Sequence, residues 1–182
     1  MNFFVCIEGV DCVGKTSVAE LLASRVNAVY YKSPGGMYAK ERKIVDGSIE
    51  PLRRYFFYRA ATQYDSGIIG GLLKHSPVVC DRYIYSTFAM HAAMDEKIRS
   101  LFEITGLVMP DYVFLLTADE AIRRKRLAER FDATTLESNF LLQKKADELF
   151  KLQGHPTIDT TNTNVDEVVE TILSRLREKG SI

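Results

Sequence analysis

A chain of 182 residues, 46% hydrophobic and 26% charged, is long enough for one domain with a buried core. Lysine plus arginine and aspartate plus glutamate each total 24, so no overall positive field exists to gather nucleic acid, and any anion must be held by local clustering. No apolar run approaches the roughly 18 residues of a membrane-crossing helix, and Asn2-Phe3-Phe4 reads as the entry to a strand rather than as a signal peptide.

The first predicted strand, residues 3–7, leads through Glu8 into Gly9-Val10-Asp11-Cys12-Val13-Gly14-Lys15-Thr16-Ser17. This is G-x-x-x-x-G-K-T between a strand pattern and a helix pattern, the setting of a phosphate-binding loop. Gly9 and Gly14 allow backbone conformations that a β-carbon forbids, so that the N–H groups of residues 9–17 turn inward on phosphate oxygens. A helix starting at Lys15 adds its unpaired N–H groups and positive dipole end. Lys15 supplies a point charge for the β- and γ-phosphates, and the Thr16 hydroxyl is placed to ligate Mg²⁺. Cys6, Cys12 and Cys80 have no metal-ligand spacing and leave an odd count, which reads as reduced thiols of a cytosolic protein.

Further apolar strands are predicted at 28–31, 77–80, 112–116 and 157–158. They are short and continuous rather than alternating, which suits a parallel sheet covered on both faces. Val18, Leu21, Leu22 and Val26 recur at helical spacing after the loop. Val165, Val168, Val169, Ile172, Leu173 and Leu176 do so near the end, behind an Asn164/Glu167 capping pair. The alternation predicts a five-stranded, doubly wound α/β domain of the P-loop NTPase type spanning residues 1–182, with ligands at the carboxyl ends of its strands. Residues 33–49 and 131–139 read instead as loops, the first rich in turn residues and the second polar.

At the end of the third strand stand Asp81-Arg82-Tyr83-Ile84-Tyr85-Ser86. A carboxylate here, beside the phosphate loop, can hold Mg²⁺ with Thr16, and the Arg82 fork can grip a second phosphate. Arg123-Arg124-Lys125-Arg126 and Arg130 concentrate positive charge before the 131–139 loop, so Arg126 or Arg130 is the expected transition-state arginine. His75, His91 and His155 are scattered and form neither a triad nor a metal pattern.

In order and spacing, Glu8-Gly9-Val10-Asp11 before Gly14-Lys15-Thr16, then Pro34-Gly35-Gly36, Asp81-Arg82-Tyr83-x-x-Ser86 and Pro110-Asp111 resemble the thymidylate kinases over nearly the whole chain. The resemblance implies transfer of the γ-phosphoryl of ATP to dTMP with Mg²⁺, by a cytoplasmic homodimer that engages neither nucleic acid nor membrane. It further implies that Asp11 lies near the acceptor, that Glu8, Pro34, Gly35, Gly36, Arg59, Arg82 and Tyr83 form the acceptor site, and that residues 126–140 make a small lid. Residues 159–162 would border the adenine. The chain departs from the family pattern at Lys32-Ser33, where Arg-Glu is common, at Arg59, and at Cys12, where some members carry arginine.

Two other functions fit the same motifs. Related deoxynucleoside kinases use a glutamate in a similar Glu-Gly setting, so Glu8 could serve as a base for a nucleoside hydroxyl, or else as a structural carboxylate that hydrogen-bonds loop amides. A paralogue that binds ATP without turnover is the other; Lys15, Thr16, Asp81 and Arg82 occurring together argue against it.

Overall fold

The computed structural model describes residues 2–47, 50–131 and 134–182. Five strands, β1 (Phe4–Glu8), β2 (Val29–Lys32), β3 (Val78–Asp81), β4 (Tyr112–Thr117) and β5 (Thr157–Asp159), form one parallel sheet in the order β2-β3-β1-β4-β5. Each lies within one residue of its predicted place. The differences share a cause: an apolar run marks the part of a strand that is buried between layers, whereas the hydrogen-bond ladder continues into the polar residue that follows. Glu8, Lys32, Asp81, Thr117 and Asp159 are all ladder residues, with Lys32 and Ile7 each in register with Asp81, and Thr117 with Asp159. The functional ends of the strands are therefore held by the sheet itself.

Alternate strand residues feed two cores. Val5, Ile7, Val79 and Phe114 pack with Leu22 of α1 (Lys15–Arg25) and with Ile172 and Leu173 of α8 (Val165–Glu178). Phe4, Cys6, Val78, Cys80 and Val113 pack with Ile69 of α3 (Pro51–Leu72) and Ile84 of α4 (Ile84–Met94). Helices thus cover both faces. Val168, Val169, Ile172, Leu173 and Leu176 of α8 are buried, contributing on the order of 10 kcal/mol of transfer free energy before entropy is subtracted. The Asn164/Glu167 capping box is also formed, but a cap contributes about 1 kcal/mol, so burial decides the helix and the cap sets its start. Asp111 accepts a hydrogen bond from the Phe4 backbone N–H at 2.8 Å, which makes the Pro110-Asp111 element an anchor for the start of β1.

Both predicted loops need correction. Among the described residues of 33–49 the irregular part is the opening turn and Gly47, because α2 (Gly36–Asp46) lies between them. Its interior holds the good helix formers Ala39, Lys40, Glu41 and Arg42, and the glycines at 35, 36 and 47 punctuate its ends. Within 131–139 lies a single helical turn, α6 (Thr135–Ser138), started by a Thr134/Glu137 capping box. Ser48 and Ile49 of the first stretch, and Asp132 and Ala133 of the second, lie outside the described residues. The span 126–140 begins inside α5 (Glu120–Ala128) and ends on the first residue of α7 (Phe140–Lys151). A 3₁₀ helix (Glu96–Leu101) follows α4, with no periodic apolar signal to foretell it.

Candidate active site

The phosphate loop leaves β1 at the centre of the sheet, where the chain's connections diverge to either side, which is the ligand-binding position of an open α/β sheet. Gly9 takes φ +138°, and a Cβ there would run into the Leu116 carbonyl oxygen; Gly14, at φ +92°, turns the chain into α1. Lys15 is buried and donates from Nζ to the Val10 carbonyl at 2.5 Å. Burial and the charge of Arg82 lower its pKa to about 8 against the opposing pull of Asp11, Asp81 and Glu8. The lysine is thus held inside the loop without a direct carboxylate hydrogen bond among those described, so an anion entering the loop relieves its desolvation.

Thr16 donates from its hydroxyl to Asp81 Oδ2 at 2.6 Å, and Lys32 Nζ stands 3.5 Å from the same oxygen. Burial would raise the Asp81 carboxyl, but Lys15, Arg82, the Thr16 hydrogen bond and Lys32 together hold it below its ordinary value. Asp81 Oδ1 is buried with no partner. An ionised carboxylate with an unpartnered oxygen beside a threonine hydroxyl fits Mg²⁺, which takes one or two protein oxygens and fills its other positions with water and phosphate.

Arg82 sits in the left-handed region at φ 70°, with its N–H on the Ile7 carbonyl at 3.1 Å. That turn aims its side chain back across the sheet end, where it reaches the Gly9 carbonyl at 3.2 Å, the Ser86 hydroxyl at 3.3 Å and the Asp11 carboxylate. Burial would raise Asp11, but Arg82, Lys15, the Gln143 hydrogen bond and Arg123 outweigh it and bring the carboxyl to about 2. Gln143 of α7 clamps Asp11 on two sides: its Nε2 donates to Oδ2 at 2.9 Å and its Oε1 accepts from the backbone N–H at 3.0 Å.

Glu8 takes the structural place, not the acceptor-facing one. It is fully buried and accepts from the N–H of Tyr83 at 2.9 Å, the N–H of Ser86 at 3.2 Å and the Ser86 hydroxyl. Burial raises its pKa against those hydrogen bonds. Glu8 braces the β3–α4 turn from behind and does not line the cavity, so a nucleoside hydroxyl would have no path to it. Tyr83, by contrast, is almost wholly buried yet reaches the cavity wall.

Arg126 is fixed from α5, donating to the Thr160 carbonyl at 2.7 Å and to the Cys12 carbonyl at 3.2 Å, and so ties the phosphate loop to the end of β5. Arg130, one turn further, pairs with Glu137 of α6 at 2.7 Å and also lines the cavity. Arg123 bonds the Asp11 carbonyl at 3.0 Å.

The loop opens into a cavity of about 1000 Å³ that runs to α2, α3 and α4. Among the described residues, seven cationic side chains against three carboxylates line it, in a chain with no net charge, so the electrostatics single out this cavity for polyanions. Its wall includes Pro34, whose peptide bond to Ser33 is cis. The turn is held by the buried Asp65 of α3, which accepts from the Tyr31 hydroxyl at 2.6 Å, the Ser33 hydroxyl at 2.6 Å and the Gly35 N–H at 3.1 Å. Gly35 must be small because a Cβ would collide with the Tyr31 hydroxyl. Arg59 lies outside the cavity, bonded to Gln63 and to the Thr105 carbonyl. The arginine of α3 that lines it is Arg54, on the Asp46 carbonyl at 2.7 Å and the Asp46 carboxylate at 3.0 Å, with Tyr58 on the same carboxylate at 2.6 Å. Helical phase explains the difference: residues five apart on a helix lie about 140° apart around its axis, so the two arginines leave α3 in different directions.

Asp65 and Gln143 carry no local sequence signal, because each acts on residues far away in the chain; Arg54 and His91 bond close by, to Asp46 and Thr87, but sit on helices whose rotational phase the sequence does not fix. Only Arg123 could have been singled out, from its place in the basic run.

A phosphate loop after the central strand of a parallel 2-3-1-4-5 sheet, with a carboxylate at the end of the neighbouring strand, defines a P-loop NTPase-type nucleotide-binding domain. The family model for thymidylate kinase matches residues 7–172. A probable thymidylate kinase of Methanocaldococcus jannaschii is 32% identical over 97% of this chain and 96% of its own length. A thymidylate kinase of Mycoplasmopsis pulmonis is 29% identical over 97% of this chain and 88% of its own. The solved thymidylate kinase of Candida albicans superposes with a TM-score of 0.81 at 19% identity, covering 99% of this chain and 93% of that one, which is likeness of fold. The chain belongs to the thymidylate kinase family.

Proposed function

We propose that the protein transfers the γ-phosphoryl group of ATP to dTMP, giving ADP and dTDP. The observation that carries the proposal is that the phosphate loop and Arg82 face one cationic cavity, so a donor triphosphate and an acceptor phosphate can meet in it. An oxygen of the acceptor phosphate bonds to the γ-phosphorus as the bond from that phosphorus to the β-bridging oxygen breaks, and ADP leaves. A phosphate oxygen is already anionic at neutral pH and needs no protein base, in keeping with the burial of Glu8.

In this reading residues 9–17 hold the ATP phosphates, and Lys15 neutralises charge on the β- and γ-groups. Arg82 binds the acceptor phosphate, with Asp11 and Gln143 fixing its direction. Pro34 and Tyr83 shape the acceptor's wall, Gly35 and Gly36 complete the turn that carries Pro34, and Glu8 supports Tyr83 and Arg82 from below. Arg126 and Arg130 both line the cavity and are the candidate arginines for the transferring group. Thr16 and Asp81 hold Mg²⁺, which when bound supplies charge neutralisation between the phosphates.

The working form is a cytoplasmic homodimer of one kinase domain per chain, with residues 126–140 as its lid. Leu52, Phe56, Tyr64 and Ile68 of α3 are exposed at multiples of four residues, an apolar stripe that suits a second copy. Among the described residues no helix is long and apolar enough to cross a membrane, and the zero net charge gives nucleic acid no general attraction.

The test is ADP release from ATP and Mg²⁺ with dTMP, thymidine or no acceptor. Release with dTMP alone supports the proposal; release with thymidine but not dTMP would replace it by a nucleoside kinase, and release independent of acceptor by an ATPase.

A further inference from the structure

The far end of the cavity contains a buried histidine that the phosphoryl transfer does not use. His91 of α4 is 3% exposed and lines the cavity, between the rings of Tyr55 and Tyr58 at 6.1 and 5.1 Å. Its Nδ1 lies 2.6 Å from the Thr87 carbonyl oxygen, and its Nε2 is buried with no partner. A carbonyl oxygen only accepts, so the proton must sit on Nδ1. Burial lowers the imidazole pKa to about 4, more than the Thr87 hydrogen bond and the Asp46 charge restore, and so keeps the ring neutral. With its single proton committed to Thr87, Nε2 presents a bare lone pair.

Beside it Arg54 has the complementary need. Its two terminal nitrogens are committed to Asp46, while its Nε–H is buried without an acceptor. Both residues line the cavity, so Nε2 asks a ligand there for a donor and the Arg54 Nε–H asks it for an acceptor. The imide edge of thymine or uracil offers both, a ring N3–H flanked by carbonyl oxygens. The cytosine ring is bare at N3 and would set lone pair against lone pair.

We propose that His91 is the residue of this chain that selects the acceptor's base, accepting a hydrogen bond from the ring N3–H of the thymine through Nε2. The inference rests on the kinase reading above and adds how the base is chosen. A buried polar group left unmatched costs about 1–3 kcal/mol, and sites built to hydrogen-bond a substrate discriminate strongly against analogues that leave them unpaired.

The direct probe is 5-methyl-dCMP, which matches dTMP in shape but lacks the N3 proton and carries an amino group at C4. With ATP and Mg²⁺, the wild-type protein is expected to favour dTMP over 5-methyl-dCMP by about 10²-fold or more in kcat/KM. His91→Leu should reduce that ratio at least tenfold, chiefly by raising the KM for dTMP, and His91→Gln should restore part of it because its amide oxygen also accepts. ¹⁵N spectra of the histidine-labelled wild-type protein provide a readout that requires no variant to fold. The bare Nε2 resonance of His91 should move on titration with dTMP and a non-hydrolysable ATP analogue. Turnover of dTMP with an unmoved Nε2 resonance, or an unchanged ratio in His91→Leu, overturns the role of His91 and leaves the kinase intact. Absence of dTMP turnover overturns the kinase reading itself. Preference for 5-methyl-dCMP would also contradict the inference, since it would assign Nε2 to the amino group.

Discussion

The two ends of the cavity satisfy their polar atoms in different ways. At the phosphate end the side chains are already engaged: Lys15 with Val10, Thr16 with Asp81, Arg82 with Gly9, Ser86 and Asp11, Arg126 with Thr160 and Cys12. Among the described side chains there Asp81 Oδ1, where the metal fits, is unmatched, as is the hydroxyl of the neighbouring Tyr83. At the base end, Arg54 Nε and His91 Nε2 are buried and unmatched. The difference teaches that charge can be handled by a scaffold that is complete without its ligand, because phosphates are drawn in by long-range attraction and by arrays of N–H groups. Shape-specific reading of a base requires atoms that only the correct base completes.

The largest effect expected from breaking this comparison lies at the phosphate end. Lys15→Ala should cost about 10²–10³-fold in kcat/KM for ATP while the circular dichroism spectrum is retained, since the lysine's charge acts mainly on the transferring group. Arg82→Ala should raise the KM for dTMP by roughly 30-fold or more, the cost of removing one partner from a buried charged pair, with a smaller change in the KM for ATP. Comparable loss for both substrates would mean that Arg82 shapes the loop rather than the acceptor site.

Effects of intermediate size belong to the wall between the two ends. Asp65→Ala leaves the Tyr31 and Ser33 hydroxyls and the Gly35 N–H without their acceptor. At about 1 kcal/mol or more for each, the loss should be roughly 3 kcal/mol, read in thermal melts as a fall of roughly 6–12 °C in Tm. The fall should come with a higher KM for dTMP, because the Pro34 turn loosens.

The smallest effect sharpens the view of the base end. An exposed imidazole titrates near 6.5 and His91 near 4. Between those values the unfolded chain binds the extra proton, so the stability contribution is complete above pH 6.5 and is lost as the pH falls toward 4. Urea unfolding at pH 7 and pH 5 should therefore show a slope, on the order of 2 kcal/mol, that His91→Leu flattens. An unchanged slope in the variant would place the acid sensitivity elsewhere.

The same division explains what the sequence disclosed. Residues 9–17 and 81–86 are each contiguous and each follow an apolar strand, so one glance along the chain finds both, and the sheet order then brings them together. The strands themselves were readable to within a residue because burial on both faces enforces continuous apolar runs. Glu8 was misplaced because a strand-end carboxylate looks the same whether it faces the cavity or the turn beneath. Arg59 competes with Arg54 because helix α3 carries apolar residues on both its buried and its exposed faces, so no single stripe fixes its rotational phase. The turn signals in 33–49 concealed α2, whose helix formers are bounded by glycines. The base end was invisible for another reason: Asp46, Arg54, Tyr58 and His91 converge from three helices, and no spacing rule connects them.

The central claim is that one continuous cavity holds a triphosphate at the 9–17 loop and a thymine at His91. A crystal structure with thymidine and adenosine joined through five phosphates tests it most directly. The account predicts the phosphate chain lying along residues 9–17 and past Arg82, the adenosine near 159–162, and the thymine N3 within hydrogen-bonding distance of His91 Nε2. A thymine seated outside the α2–α3–α4 end, or a phosphate chain that bypasses the loop, would contradict it.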